Sequence, residues 1–513
     1  MGDRTLNAIA KGAGIVAVGM VFSKLFTYLY RVVVARFIGP DAYGQLSLGI
    51  TVLSIAGSVS LLAMNQALNK YVAKHNQNND PAAIRGSVLS ATHMVLPLSI
   101  LAGIAIWFSA PFLASRVFHT PELVPVLKIF AFVPPFGNLS SIFISTMTAF
   151  KEMKYRVVTN QIFQPVVQLA ATLGFIAMGY GVAGAAGGWL VGVVLSTVLG
   201  AYFLEKKVHP IIFGKADPDH RHREMLKYSG PLMFSGIIGS VLGWTDTLFL
   251  GYYMTDAQVG FYNAALPTAL LILMPYRALK SLALPSLSEV HEDDSREPGK
   301  VLKNLSRWNL SVTLPAFIVM ALFSGPVLRL LFGAEYTVAG TALALLALGN
   351  LFSAAVGPLD EFIKSISRTD LMLKNTVANL VVNIVLNVLL IPVYGIEGAA
   401  VATAGSIVFV NLLLIAETYH LEGVLPFDSD SWRPLAASVV PLPVIYAALH
   451  LLFPRYIPVW ALVPGGLAFG AMYLAGLVLA GGFREEDRDI IVGIGRRIGK
   501  AEEADRLADH VIR

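Results

Sequence analysis

Long apolar runs alternate along the chain with short polar turns, and each run supplies roughly the 20 mostly apolar residues that a membrane-crossing helix needs. The pattern predicts fourteen spans. Six run about 10–37, 43–66, 86–108, 123–150, 156–178 and 183–204, and six more about 227–250, 259–282, 307–323, 338–363, 371–393 and 396–418. Two further spans lie near 433–453 and 459–482. The first six return as the second six about 215 residues later. Arg31 to Gly44 reads Arg-Val-Val-Val-Ala-Arg-Phe-Ile-Gly-Pro-Asp-Ala-Tyr-Gly, and Asp246 to Gly260 reads Asp-Thr-Leu-Phe-Leu-Gly-Tyr-Tyr-Met-Thr-Asp-Ala-Gln-Val-Gly. Tyr180-Gly-Val-Ala-Gly184-Ala-Ala186 likewise returns as Tyr394-Gly-Ile-Glu-Gly398-Ala-Ala400.

An even number of spans per repeat restores the starting orientation, so the repeats are parallel and related by an axis along the membrane normal. The expected fold class is therefore an all-α polytopic membrane protein of about fourteen transmembrane helices, two parallel six-helix repeats plus two C-terminal helices. Residues 1–204 form the first repeat, 205–226 a basic cytoplasmic linker and 227–420 the second repeat. Residues 421–482 hold the two extra helices, and 483–513 a cytoplasmic amphipathic tail. In that tail Ile490, Ile491, Ile494 and Ile498 fit a helix on the membrane surface, with a solvated tail as the alternative. Duplicated bundles of this kind build many secondary transporters, with the substrate between the halves.

Composition agrees: 55% of residues are hydrophobic, mean hydropathy is +0.66, and 14% are charged, against about a quarter in soluble domains. The net charge of +5 is mostly a topology signal. Lys and Arg gather in 205–227 and 283–306, whereas 251–258 and 394–397 have neither. The positive-inside rule then puts both termini in the cytoplasm of a multi-pass cell-membrane protein, with the acidic 419–432 loop fitting worst. The first apolar run carries Lys and Arg and belongs to the repeat, so it is expected to stay as a span. No basic folded face suits nucleic acid.

Cysteine is absent, which excludes disulfides and thiolate chemistry. No Gly-x-x-x-x-Gly-Lys-Ser/Thr loop, His-Glu-x-x-His or Gly-x-Ser-x-Gly motif occurs. The chain therefore reads as no enzyme, with no catalytic residue, metal or cofactor. Its work would draw on an H+ or Na+ gradient, the membrane potential or downhill flow.

Charge inside the membrane costs about 2.5–3.5 kcal/mol per Lys or Arg on insertion scales, so it normally meets a partner or a wet cavity. Lys24 stands mid-span, and Arg31 lies two turns later on roughly the same face. Arg31 and Arg36 have snorkelling to the interface as their bland reading. Asp246 holds in the second repeat the place Arg31 holds in the first, so the two are expected to pair as a gate, with separate solvation as the alternative. Arg277 and Lys280 either guide an anionic head group or simply obey the positive-inside rule. Asp360, Glu361 and Lys364 read as an interfacial cluster, and His93 as a lone packing histidine. Amides recur every fourth residue in two spans: Asn160, Gln164 and Gln168, then Asn375, Asn379, Asn383 and Asn387. They either bond neighbouring helices or make a polar wall for sugar hydroxyls.

Ser23-Lys24, Arg31, Ala35-Arg36-Phe-Ile-Gly39-Pro40-Asp-Ala-Tyr43-Gly44 and Asp246-Thr-Leu-Phe-Leu-Gly251-Tyr-Tyr, with the two Tyr-Gly-x-x-Gly-Ala-Ala turns, resemble the polysaccharide transporters (Wzx-type flippases) of the multidrug/oligosaccharidyl-lipid/polysaccharide (MOP) exporter superfamily. The similarity covers about residues 8–420 and extends to the lipid II flippases, which the span count fits better. The resemblance implies alternating access by a flippase that moves a polyprenyl-(pyro)phosphate-linked oligosaccharide across the membrane for surface glycan assembly. It implies membrane lipids and polysaccharide-assembly enzymes as partners, and Lys24, Arg31 and Arg277 as contacts for the phosphate. In the lipid II flippase the last two helices form a groove for the lipid tail; no motif in 433–482 repeats it. An ion-coupled multidrug or cation antiporter of the same superfamily is the rival, and a non-transporting scaffold the third reading.

Overall fold

The computed structural model describes residues 2–214, 216–274, 276–277, 298–366, 368–453, 458–484, 488 and 505–506. Lys280 and nearly all of the expected surface helix in 483–513 lie outside the described residues. Regular structure among the described residues is entirely helical.

Two compact units form. The first comprises Met1–Ala264 with Asn387–Ile396, and the second Ala265–Leu386 with Glu397–Arg513. The division falls within a helix, not in the 205–226 linker, so packing units and sequence repeats have different borders.

In chain order the first unit holds α1 (Gly2–Leu61), α2 (Met64–Gln77), α3 (Pro81–Phe112), α4 (Leu123–Phe130), α5 (Val133–Ala149), α6 (Met153–Arg156), α7 (Gln164–Ala177), α8 (Gly181–Phe203), α9 (His222–Tyr253) and the start of α10 (Asp256–Ala269). The second holds α11 (Pro298–Leu322), α12 (Ser324–Leu331), α13 (Gly340–Val356), α14 (Pro358–Ser365), most of α15 (Thr369–Glu422), α16 (Arg433–Val439), α17 (Pro441–Leu452) and α18 (Leu462–Leu479).

Among the described residues nine helices are long and apolar enough to cross a membrane. Two of these stretches, Phe22–Gln77 and Asp370–Glu422, contain 56 and 53 residues. At 1.5 Å per residue each would rise about 80 Å, more than twice the roughly 30 Å of hydrocarbon. Both break at a glycine: Gly39 (φ 78°, ψ 173°) in α1 and Gly395 (φ 56°, ψ −127°) in α15. These angles suit glycine because no Cβ collides with the neighbouring carbonyl.

Side-chain spacing shows how α15 sits. Val377, Val381, Val385, Leu389 and Val393 are exposed, while Asn375, Asn383 and Asn387 on the opposite stripe are buried. The helix is apolar outside and polar inside, as suits a lipid surround in which amides bond within the bundle.

The segment between α8 and α9 is ordered by two charged side chains. The Glu205 carboxylate accepts the amides of Ile211 and Ile212 at 2.8 Å and Phe213 at 3.0 Å. The Arg85 guanidinium donates to the carbonyls of Ile211 (2.9 Å) and Ala216 (2.6 Å), holding the segment on α3.

Candidate functional site

The first unit encloses a cavity of about 230 Å³. One face of α1 lines it through Ser23, Thr27, Tyr30 and Arg31, positions 0, 4, 7 and 8 of a helical stripe. Across it stand Asn160, Gln164 and Gln168. A π-helical stretch, Val157–Phe163, precedes α7 and contains Asn160; such bulges re-aim side chains and recur at functional sites. Asn160 donates to Gln164 Oε1 at 3.0 Å, which leaves the Asn160 carbonyl and the Gln164 amide nitrogen for a ligand. Trp189, Trp244, Tyr43 and Asn263 complete the wall, with Tyr30 edge-on to Trp189 at 5.8 Å.

Arg31 carries the only charge among the described lining residues, and no carboxylate among the described residues pairs with it. Lys24, one heptad earlier on the same face, is exposed and outside the enclosed part of the cavity. Arg277 is exposed and belongs to the second unit.

The second amide stripe has other partners. Asn375 donates to Glu417 at 2.7 Å, Asn383 to Ser406 at 3.5 Å and Asn387 to Asp246 at 2.7 Å. Asn379 has a buried amide oxygen without a hydrogen-bond partner. Neither Asn379 nor Asn383 lines the cavity. Asp246 is buried and also accepts from the Tyr262 hydroxyl at 2.6 Å. Arg31 and Asp246 thus face different surroundings, and no bond between them occurs among the described residues.

Pseudo-equivalent turns meet in this unit. A Cβ on Gly44 would lie 1.9 Å from the Asp256 carbonyl oxygen, and one on Gly260 would lie 2.1 Å from that of Pro40. Only hydrogens fit there. Gln45 donates to one Asp256 carboxylate oxygen at 3.0 Å and Thr120 to the other at 2.7 Å, while Tyr43 donates to the Asn263 carbonyl at 3.4 Å. Asp256 sits at the turn between α9 and α10, outside the spans. Burial pushes its carboxyl above the ordinary range, against the two donors that stabilise its ionised form.

Sequence reasoning missed this clasp and the aromatic wall. Signals were present: both tryptophans follow glycines, Gly188-Trp189 and Gly243-Trp244, and Gly44 and Gly260 were already aligned by the repeat. His93 is no lone packing residue. It is exposed, with His220 and His222 beside it.

Fold and site together describe a polytopic helical membrane transporter. The chain belongs to the polysaccharide biosynthesis protein family, whose model matches residues 9–291; a second model, MatE, matches 231–389. Among similar proteins is Agl15 of Haloferax volcanii, named as a low-salt glycan biosynthesis flippase, 27% identical over 195 residues. That match spans 38% of this chain and 41% of the archaeal protein, less than half of each. A Shigella flexneri protein named for O-antigen transport is 23% identical over 391 residues, covering 74% of this chain and 90% of its own. In fold the chain is similar to the lipid II flippase MurJ in an inward closed conformation, with a TM-score of 0.71 at 17% identity over 93% of this chain and 99% of that one. An inward-facing MATE transporter of the MOP superfamily gives 0.59 at 15% identity over 80% and 97%. The names are those of flippases and transporters, in keeping with the lack of catalytic motifs.

Proposed function

We propose that the chain flips a polyprenyl phosphate- or pyrophosphate-linked oligosaccharide across the cytoplasmic membrane. The observation that carries this reading is Arg31, a guanidinium with no carboxylate partner among the described residues, as the only charge on a wall of amides and aromatics. A planar guanidinium suits phosphate oxygens bidentately. Asn160, Gln164 and Gln168 suit sugar hydroxyls, and Trp189 and Trp244 offer ring faces to the apolar side of a sugar. A volume of about 230 Å³ holds a phosphate and a sugar ring, not an oligosaccharide, so the cavity must widen to load.

The mechanism is alternating access between repeats 1–204 and 227–420, joined by 205–226. Residues 421–482 add the helices that bring the count to fourteen, and both termini are cytoplasmic. The Gly44–Gly260 contact, tied by Asp256, serves as the outer gate in place of an Arg31–Asp246 pair. Asp246, with Tyr262 and Asn387, is the acidic group suited to exchange a coupling H+ or Na+. That carboxylate and the MatE match over 231–389 favour a cation antiporter as the second reading.

Purified protein in liposomes with labelled polyprenyl-linked oligosaccharide tests the choice. Flipping by the wild type that Arg31→Ala abolishes and Lys24→Ala weakens supports the flippase. Absence of flipping together with H+- or Na+-driven efflux of organic cations supports the antiporter, and activity unaffected by either substitution removes the cationic cavity.

A further inference from the structure

We propose that His93, His220 and His222 form a binding site for a divalent transition-metal ion, Zn2+ by preference, that fastens the 205–221 segment to α3. One ring nitrogen from each histidine lies within 4.8 Å of the other two. The ring centroids are 5.4 Å apart for His93 and His220, 6.0 Å for His93 and His222, and 5.3 Å for His220 and His222. A tetrahedral ion with Zn–N of about 2.0–2.1 Å needs nitrogens about 3.3 Å apart. His93 and His220 are exposed and His222 is half-buried, so small side-chain rotations close the gap.

The site is built by contacts beyond the three rings. Ser90, one turn before His93, accepts the Arg221 amide at 3.0 Å and lies 3.4 Å from His220 Nδ1. A bound ion selects the tautomer in which Nδ1–H donates to Ser90 and Nε2 faces the metal, the usual support for a ligating histidine. The Asp219 amide donates to the Ala82 carbonyl at 3.1 Å, and Arg85 holds the segment further back. Arg221, between the two ligands in sequence, is paired with Asp219 and Glu224, so its charge is compensated. Three neutral imidazoles suit Zn2+, Cu2+ or Ni2+ and not the oxygen-seeking Mg2+ or Ca2+. Three protein ligands leave a fourth position for water.

The test uses full-length protein in detergent with a tag that contains no histidine, stripped by chelator and titrated with zinc sulfate by calorimetry. One ion per chain is expected, with at least about tenfold weaker binding in His93→Gln, His220→Gln and His222→Gln and none lost in His119→Gln or His450→Gln. Zinc should also slow amide hydrogen exchange across 209–222, and Co2+ bound to the wild type should show an imidazole shell near 2.0–2.1 Å in X-ray absorption. Non-saturable binding, binding that survives all three substitutions, or a shell without imidazole overturns the proposal.

Discussion

Two stripes of amides hold equivalent places in the repeats and have opposite fates. Asn160, Gln164 and Gln168 keep hydrogen-bonding capacity turned into the cavity beside Arg31. Asn375, Asn383 and Asn387 spend theirs on Glu417, Ser406 and Asp246. The same residue types at the same spacing thus serve a wet wall in one place and helix-to-helix adhesion in the other. What separates them is whether a polar partner stands across the stripe. Glu417 and Ser406 face the second, whereas Leu46, Ile50 and Trp189 stand among the walls around the first.

Substitutions should separate the two stripes by readout as well as by size. Arg31→Gln, beside the first stripe, should cut flipping about tenfold to a hundredfold, the loss of one charged hydrogen-bonding group worth about 1.5–3 kcal/mol. Its melting temperature in detergent should stay within about a degree or two of wild type. A matched loss of both would place Arg31 with the structural set.

Asn387→Leu should do the reverse, lowering unfolding stability by about 2 kcal/mol because the buried Asp246 carboxylate loses a donor. Thermal denaturation in detergent measures this; unchanged stability would dissolve the contrast. Gln164→Leu should lower flipping about fivefold to tenfold without a stability cost, as the loss of one neutral hydrogen bond of about 1 kcal/mol to substrate. Asn383→Leu should cost only about 0.6 kcal/mol of stability, near the average for amide bonds between helices in membranes, because its bond to Ser406 is long at 3.5 Å.

The smallest effect concerns pH at the glycine clasp. Burial raises the Asp256 carboxyl above its ordinary value, so the closed clasp binds a proton more tightly than a solvated, open one. Closure is therefore favoured at low pH and weakens as pH rises through the raised value. Spin labels on Asp41→Cys and Gln258→Cys, introduced into a chain with no native cysteine, should report a shorter mean separation as pH falls towards about 4. Asp256→Asn should flatten the profile, and a trend of opposite sign would separate Asp256 from gating.

Much of the architecture was legible because hydropathy in a membrane protein is a strong, local signal. The Gly39-Pro40 and Tyr394-Gly395 turns fell where the sequence pattern put breaks between spans, and both glycines leave helical geometry there. The cavity was legible in part. Arg31, Asn160 and Gln164 could be chosen because charge and amides are costly in lipid, yet Asn379 and Asn383 satisfied the same criterion and lie elsewhere. Trp189, Trp244 and Tyr30 carried no such mark, since an aromatic residue in an apolar run is at home facing lipid, protein or cavity alike. His93 misled for a related reason: its companions sit about 130 residues onward, in a segment whose basic composition suggested only a solvated loop.

By itself the sequence determined the class of protein, the span pattern, the duplicated motifs and the presence of costly charges, because each follows from the cost of placing a residue in hydrocarbon. Tertiary structure alone decided which charge is left without a carboxylate, which amides stay available and which glycines touch. Those outcomes depend on what stands opposite a side chain, and the opposite residue comes from a helix tens to hundreds of positions away.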